Sequence, residues 1–164
     1  MSLETRLEPM TSEMYHTFFK EYENDKDLYL DKNEYFEYIY EKSKVDIYIQ
    51  RQIDLNRHPF AIMYGDEIVG ELKIYDIIIG KSATLGITMK NRNYKDKGFG
   101  TQAEKLAVKY VFYELDIPVL YADCILTNTR SQHVLEKVGF YCINVDERKK
   151  YYQITRDVES VIWE

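Results

Sequence analysis

Cysteine is scarce in this chain. Cys124 and Cys142 are the only two in 164 residues, and neither stands in a metal-binding spacing. That excludes a disulfide-stapled scaffold and a cysteine zinc module, and it leaves two free thiols and no expected metal. Long apolar runs are also missing. None approaches the ~20 residues of a membrane span, so no membrane association is expected. Basic charge is in deficit, with 22 Lys and Arg against 28 Asp and Glu, a net charge of −6. Such a balance argues against a nucleic-acid surface. It favours solubility first and the steering of cationic ligands second. The opening Met1-Ser2-Leu3-Glu4 lacks a basic and apolar leader, so a cytoplasmic location is expected. Seven glycines and 45% hydrophobic residues fit a globular chain. The length suits one domain with a real core, spanning 1–164.

Tyrosine is plentiful, with sixteen copies. Tyr22, Tyr29, Tyr35, Tyr38 and Tyr40 crowd into a stretch rich in Asp and Glu. Aromatic faces beside carboxylates suit a primary amine or polyamine. The plainer reading is amphipathic helices whose rings face the core with wet hydroxyls.

Patterning gives an element order. Leu3–Pro9 reads as a strand, and Thr11 caps a helix running to about Tyr22. Asn33 opens a second helix with Phe36, Ile39 and Tyr40 on one face, continuing through Ile49 and Ile53 to Asn56. Phe60–Tyr64, a Gly65-Asp66 turn and Ile68–Ile79 form a hairpin, and Thr84–Met89 is a third strand. After Gly100 the period turns helical. Ala103, Leu106, Ala107, Tyr110 and Val111 share the inner face, while Gln102, Glu104, Lys105 and Lys109 lie opposite. Val119–Leu126 is a strand, Asn128 or Thr129 caps a short helix, and Gly139 ends it. Phe140–Val145 and Tyr151–Arg156 close the chain as a hairpin. The fold class is therefore α/β in the α+β sense, with a mixed, mostly antiparallel sheet flanked by helices.

The most informative segment is Lys95-Asp96-Lys97-Gly98-Phe99-Gly100-Thr101. It joins the strand ending at Met89 to a helix. Glycines let backbone N–H groups converge, and the helix dipole favours negative charge there. A phosphate-bearing ligand follows.

With Asn128-Thr129-Arg130-Ser131 and Leu135-Glu136-Lys137-Val138-Gly139-Phe140, about thirty residues further on, this loop resembles the two signatures of the Gcn5-related N-acetyltransferase (GNAT) family. The Leu-Glu-Lys triplet is similar to the branch of the ribosomal-protein N-terminal acetyltransferases. The resemblance implies a splayed strand pair at the cofactor site and acetyl-CoA as co-substrate. It implies a small-molecule or peptide amine as acceptor, and it is compatible with a homodimer. The pyrophosphate is expected on Lys97, Gly98, Phe99, Gly100 and Thr101. Lys95 stands where relatives have Gln or Arg, which keeps a cation but loses the bidentate fork. Ile87, Thr88 and Met89 are expected along the pantetheine arm, Asn128 and Ser131 at the lip of the splay, and Lys137 at the cofactor too.

An attacking amine needs a lone pair, hence a base. Thr84 occupies the place where many relatives carry Glu. Strand alternation puts Tyr121, Asp123 and Ile125 on one face, and Asp123 is the first candidate, with Glu71 the lesser one. The competing role for Asp123 is a structural ion pair. Leu135 stands where relatives often carry a Tyr acid, so Ser131 is the substitute, either through its hydroxyl or simply as a small residue beside the cofactor. His133 reads as a surface residue and Cys124 as a core thiol.

Two rivals remain at this level. Gly98 to Ala103 formally fits a dinucleotide fingerprint with Asp123 downstream. Against it, the polar Lys90–Lys97 stretch separates it from its strand, and the preceding elements form a hairpin rather than a βαβ unit. The other rival is a non-catalytic acetyl-CoA-binding or interaction module.

Overall fold

The computed structural model describes residues 4–157. Leu3, expected to open the first strand, lies outside the described residues. The elements run β1 Thr5–Pro9, α1 Ser12–Glu21, α2 Lys42–Asp54, β2 His58–Tyr64, β3 Glu67–Ile78, β4 Ser82–Met89, α3 Phe99–Lys109, β5 Val119–Ile125, α4 Thr129–Val138, β6 Tyr141–Val145 and β7 Lys149–Thr155. Seven strands form one sheet in the order β1-β2-β3-β4-β5-β7-β6. Every pairing is antiparallel except β4 with β5.

That parallel pairing is short. Ala83, Thr84 and Leu85 pair with Leu120, Tyr121 and Ala122, and the ladder stops there. Beyond it, β4 keeps its bonds to β3 from Gly86 to Met89, and β5 keeps its bonds to β7 from Asp123 to Ile125. The strands therefore part, and the facing edge of each is left without a neighbour. An unpaired strand edge offers backbone donors and acceptors.

The main core lies between one sheet face and α3 and α4. It contains Ile62, Leu72, Ile74, Leu85, Leu120, Ala103, Ala107, Val111 and Leu135, each at most 3% exposed. A second cluster on the other face joins Phe18 of α1 to Ala61, Met63 and Ile68. Thr11 caps α1 as the sequence predicts, its hydroxyl accepting from Met14 N–H at 3.1 Å. Gly139 ends α4 with φ 121°.

Two expectations fail. No helix spans Asn33 to Tyr40, and α2 begins only at Lys42. Instead, the Asp25 and Asp31 carboxylates accept the N–H of Asp27 and Asn33, each at 2.9 Å, and close two short 3₁₀ turns. Side-chain capping of this kind competes with helix propagation. Phe36 and Ile39, expected on a buried face, are exposed. Two tyrosines of this loop pack on α1: Tyr38 lies 5.8 Å from Phe19 and Tyr40 5.9 Å from His16, ring centroid to centroid, while Tyr29 and Tyr35 pack on each other. The second failure is the face of α3: Glu104, assigned to the solvent side, is only 1% exposed, and Leu106, assigned to the inner face, is 37% exposed.

Candidate active site

The turn before α3 is built for an anion. Gly98 precedes the helix with φ 85°, a left-handed conformation that costs a residue with a Cβ about 1–2 kcal/mol. The first ladder bond runs from Gln102 N–H to Gly98 C=O. The N–H groups of Phe99, Gly100 and Thr101 therefore precede the ladder, at the positive end of the helix dipole. A Cβ at Gly100 would meet Val134 Cγ1 at 3.8 Å, an ordinary contact. Gly100 thus serves open space above the turn rather than a tight packing joint.

These groups border one cavity together with Ile87, Thr88 and Met89 of β4, the loop from Lys95 to Thr101, and Asn128 and Ser131. The structure gathers every residue expected at the cofactor except Lys137. That side chain is exposed on the far side of α4 and lines neither this cavity nor the next. Six positions along a helix turn a side chain well away from the face of Ser131.

A second cavity continues into the splay. It is lined by Gly86 and Ile87 of β4, Asp123 and Cys124 of β5, Asn128, Ser131 and Leu135, with Lys149 of β7 at its edge. Glu104, Ile87, Asn128 and Ser131 border both spaces, so the two meet there. Asn128 caps α4, its Oδ1 accepting from Ser131 N–H at 3.1 Å. The Ser131 hydroxyl is hydrogen-bonded to the Cys124 sulfur, and burial pushes that thiol up to about 11.

The candidate bases separate. Asp123 is partly exposed in the splay cavity, and Lys149 Nζ donates to its Oδ1 at 2.9 Å. Glu71 is buried behind α1 and α2 and lines neither cavity. Tyr15 donates to its Oε2, and Tyr48 donates to its Oε1 at 2.9 Å. Burial, then the Glu71 charge, hold both phenols far above their usual range. Thr84 lies in the paired part of β4, opposite Tyr75 and Tyr121.

Three site features escaped the sequence reading, two of them without a local signal. Asp25, from the loop after α1, reaches the anion turn and accepts from Lys95 Nζ. Burial opposes its charge, but hydrogen bonds from Lys95 and the Asp27 N–H, with the Lys95 and Arg92 charges, hold its carboxyl below the usual range. The Lys95 ammonium is therefore already paired. Lys149 joins Asp123 only because β7 returns beside β5. Glu104 has a readable signal: it follows Gly100 by one helical turn and so shares the face that Gly100 turns to the ligand.

Among the described residues, no group of three or more His, Cys, Asp or Glu is placed to hold a metal. No described helix is long and apolar enough to cross a membrane.

Comparison with known proteins agrees with this geometry. The model of the acetyltransferase (GNAT) domain matches residues 5–141. The probable N-acetyltransferase YjcK of Bacillus subtilis (strain 168) is 29% identical over 105 residues, which cover 62% of this chain and 58% of that protein. The matches cover 58% and 50% of the length of two curated relatives, so this chain spans about half the length of the relatives it matches. Among solved structures, the aminoglycoside acetyltransferase AAC(6')-Ib in complex with coenzyme A superposes with a TM-score of 0.78 at 14% identity, covering 98% of this chain and 100% of that one. The spermidine N-acetyltransferase from Vibrio cholerae, in complex with CoA and spermine, gives 0.76 at 17% identity, covering 93% and 96%. At such identities these two likenesses are of fold. With a family model covering residues 5–141, a glycine turn at the head of α3 and a β4–β5 pair that opens beside it, the chain belongs to the GNAT acetyltransferase family.

Proposed function

We propose that the chain is an acetyl-CoA-dependent N-acetyltransferase that moves an acetyl group to a primary amine by direct attack in a ternary complex. The observation that carries this reading is the continuity of the two cavities: the space over the α3 N-terminus runs into the opening between β4 and β5, where a carboxylate waits. The residues fit the cofactor. The leading N–H groups of α3 suit a pyrophosphate, with Lys97 at the rim. The unpaired edge of Gly86 to Met89 suits an amide-rich arm. Asn128 spends its side-chain oxygen on the α4 cap and keeps its amide donors for that arm. When bound, acetyl-CoA supplies the activated acetyl group and a thiol leaving group.

The chain's own residues do the rest. Asp123 takes the proton that the entering ammonium must lose, directly or through one water. Lys149 holds that carboxylate at the rim. Ser131 keeps α4 close to the arm. Glu71, tied to two phenols, shapes the wall behind and is the weaker candidate base. Acceptors in reach of this reading are small amines, polyamines, amino acids and, through the Leu135-Glu136-Lys137 triplet, protein N-termini. Structural neighbours whose names carry spermidine and aminoglycosides support an amine class. The net charge of −6 draws such cations inward.

The test has two stages. Acetyl-CoA should protect the fold from heat while NAD does not, and thiol release from acetyl-CoA should then depend on an added amine. Protection by NAD instead would restore the dinucleotide reading. Protection by acetyl-CoA with no transfer to any amine would leave a cofactor-binding module.

A further inference from the structure

Two side-chain polar atoms among the described residues are buried without a partner, Thr5 Oγ1 and Glu104 Oε2. Thr5 lies on β1, remote from the cleft. Glu104 lies in it: this 1%-exposed side chain borders both the cavity over the anion turn and the cavity in the splay. A buried carboxyl with no cation beside it and an oxygen without a hydrogen-bond partner cannot carry charge there without a large penalty, so it keeps its proton. Burial alone pushes it up to about 8.

The splay cavity thus meets two carboxyls in opposite surroundings. Asp123 is partly exposed and ion-paired to Lys149, while Glu104 is enclosed and unpaired. The enclosed carboxyl has a proton to give, and the partly exposed one lies open to an entering amine, so the two suit opposite roles. The remaining ionisable groups facing this space are accounted for. Lys95 pairs with Asp25, and Arg130 with Asp96. Tyr22, Glu23, Tyr94 and Lys97 border the outer cavity, and Cys124 faces the inner one from β5. Cys124, held at about 11, is a weaker acid than a free thiol at about 8.5. It is a poor proton source for a departing thiolate. Leu135, in the same cavity, has nothing to donate.

We propose that Glu104 is the catalytic acid, giving its proton to the sulfur that leaves as the acetyl group is transferred. The inference rests on the acetyl-transfer reading. The amine lone pair forms the new C–N bond at the acetyl carbon and the C–S bond breaks. Its electron pair stays on sulfur, and the Glu104 proton moves there. The proton shed by the acylated nitrogen passes to solvent through Asp123, and solvent returns one to Glu104. Counted from the ammonium, two protons leave nitrogen through Asp123, the first before attack and the second after it; one is matched by the proton that reaches sulfur and the other goes to solvent, so the transfer balances.

The experiment uses the whole chain, with Glu104→Gln and Glu104→Met. Calorimetry with CoA comes first. Absence of CoA binding to the wild type would sink the acetyl-transfer reading and this one with it. Given binding, infrared difference spectra on adding CoA should show a protonated-carboxyl band that shifts in the wild type and is missing in both variants. An unshifted band with CoA bound overturns this inference alone. In turnover, Glu104→Gln should lose about tenfold or more in kcat, with KM for acetyl-CoA within about twofold. It should also lose the alkaline fall of kcat near pH 8. A rise in KM with kcat and its pH profile unchanged would make Glu104 a binding contact and contradict the acid role. Glu104→Met, which removes the buried polar atom, guards against a variant that merely fails to fold.

Discussion

Lys149 Nζ lies 2.9 Å from Asp123 Oδ1, at the level where β5 has left β4 but still pairs with β7. The ion pair fixes the carboxylate at the edge of the splay cavity, the position from which the proposed mechanism has it act as base. Asp123→Asn keeps the shape and removes the base, so kcat should fall by about 10²–10⁴ at neutral pH. The deficit should shrink as pH rises, because free amine then needs no help. A pH series of kcat for the two proteins measures this. Wild-type kcat in the variant would pass the role to solvent or another carboxylate.

The anion turn gives a pair of contrasting substitutions. Gly100→Val adds branches over the N–H groups that precede the α3 ladder. It should weaken CoA binding about tenfold or more, which is about 1.4 kcal/mol, while the fold persists because the nearest neighbour of the new Cβ is 3.8 Å away. Gly98→Ala should act the other way. Its φ of 85° makes the change cost about 1–2 kcal/mol of stability before it touches affinity. Calorimetry and thermal melts separate the two effects.

Glu104 ties stability to pH with a definite sign. Its carboxyl titrates near 4.5 when exposed and near about 8 when buried in the fold. Between these values the folded chain holds a proton that the unfolded chain has released. The stabilising contribution is therefore complete below about 4.5 and is lost as pH rises to about 8. Glu104→Leu should flatten the decline of melting temperature across that window. It should also raise stability at pH 8, where folding the wild type must either draw a proton onto Glu104 or bury its charge, by about 1–3 kcal/mol or more. An unchanged slope would contradict the burial argument.

Glu71 makes a different kind of prediction. It is buried and held by Tyr15 and Tyr48, and Lys73 Nζ donates to the Tyr48 hydroxyl at 2.8 Å. Tyr48→Phe removes a donor from a buried carboxylate and should cost about 1–3 kcal/mol in chemical denaturation. A loss below about 0.5 kcal/mol would show that the site relaxes to recover the bond.

The sequence carried the succession of strands along the chain, the cap at Thr11, the choice of Asn128 or Thr129 as the second cap, and the glycine turn, because each rests on local pattern or on a short motif, while the residues of the splay came from the family resemblance. What it hid came from contacts across the chain. Asn33 to Tyr40 has helical spacing, yet Asp25 and Asp31 satisfy nearby N–H groups first, and the segment becomes a strap whose Tyr38 and Tyr40 pack on α1. Glu104 looks solvent-facing beside Gln102 and Lys105 because a wheel assumes one buried side. Here α4 and the splay enclose a second side of α3, the side that Gly100 already marks. Lys95 reads as a free cation until the strap brings Asp25 against it. Lys137 follows the motif in sequence, but helix phase turns it outward.

The central claim is transfer of an acetyl group to an amine. The most direct measurement is thiol release from acetyl-CoA by the intact protein against a panel of polyamines, small amines and peptides with free N-termini, with the acetylated product identified by mass. The account predicts amine-dependent thiol release matched one to one by an N-acetylated product, and lost in Asp123→Asn at neutral pH. Tight acetyl-CoA binding with no acetylated amine across that panel would contradict it.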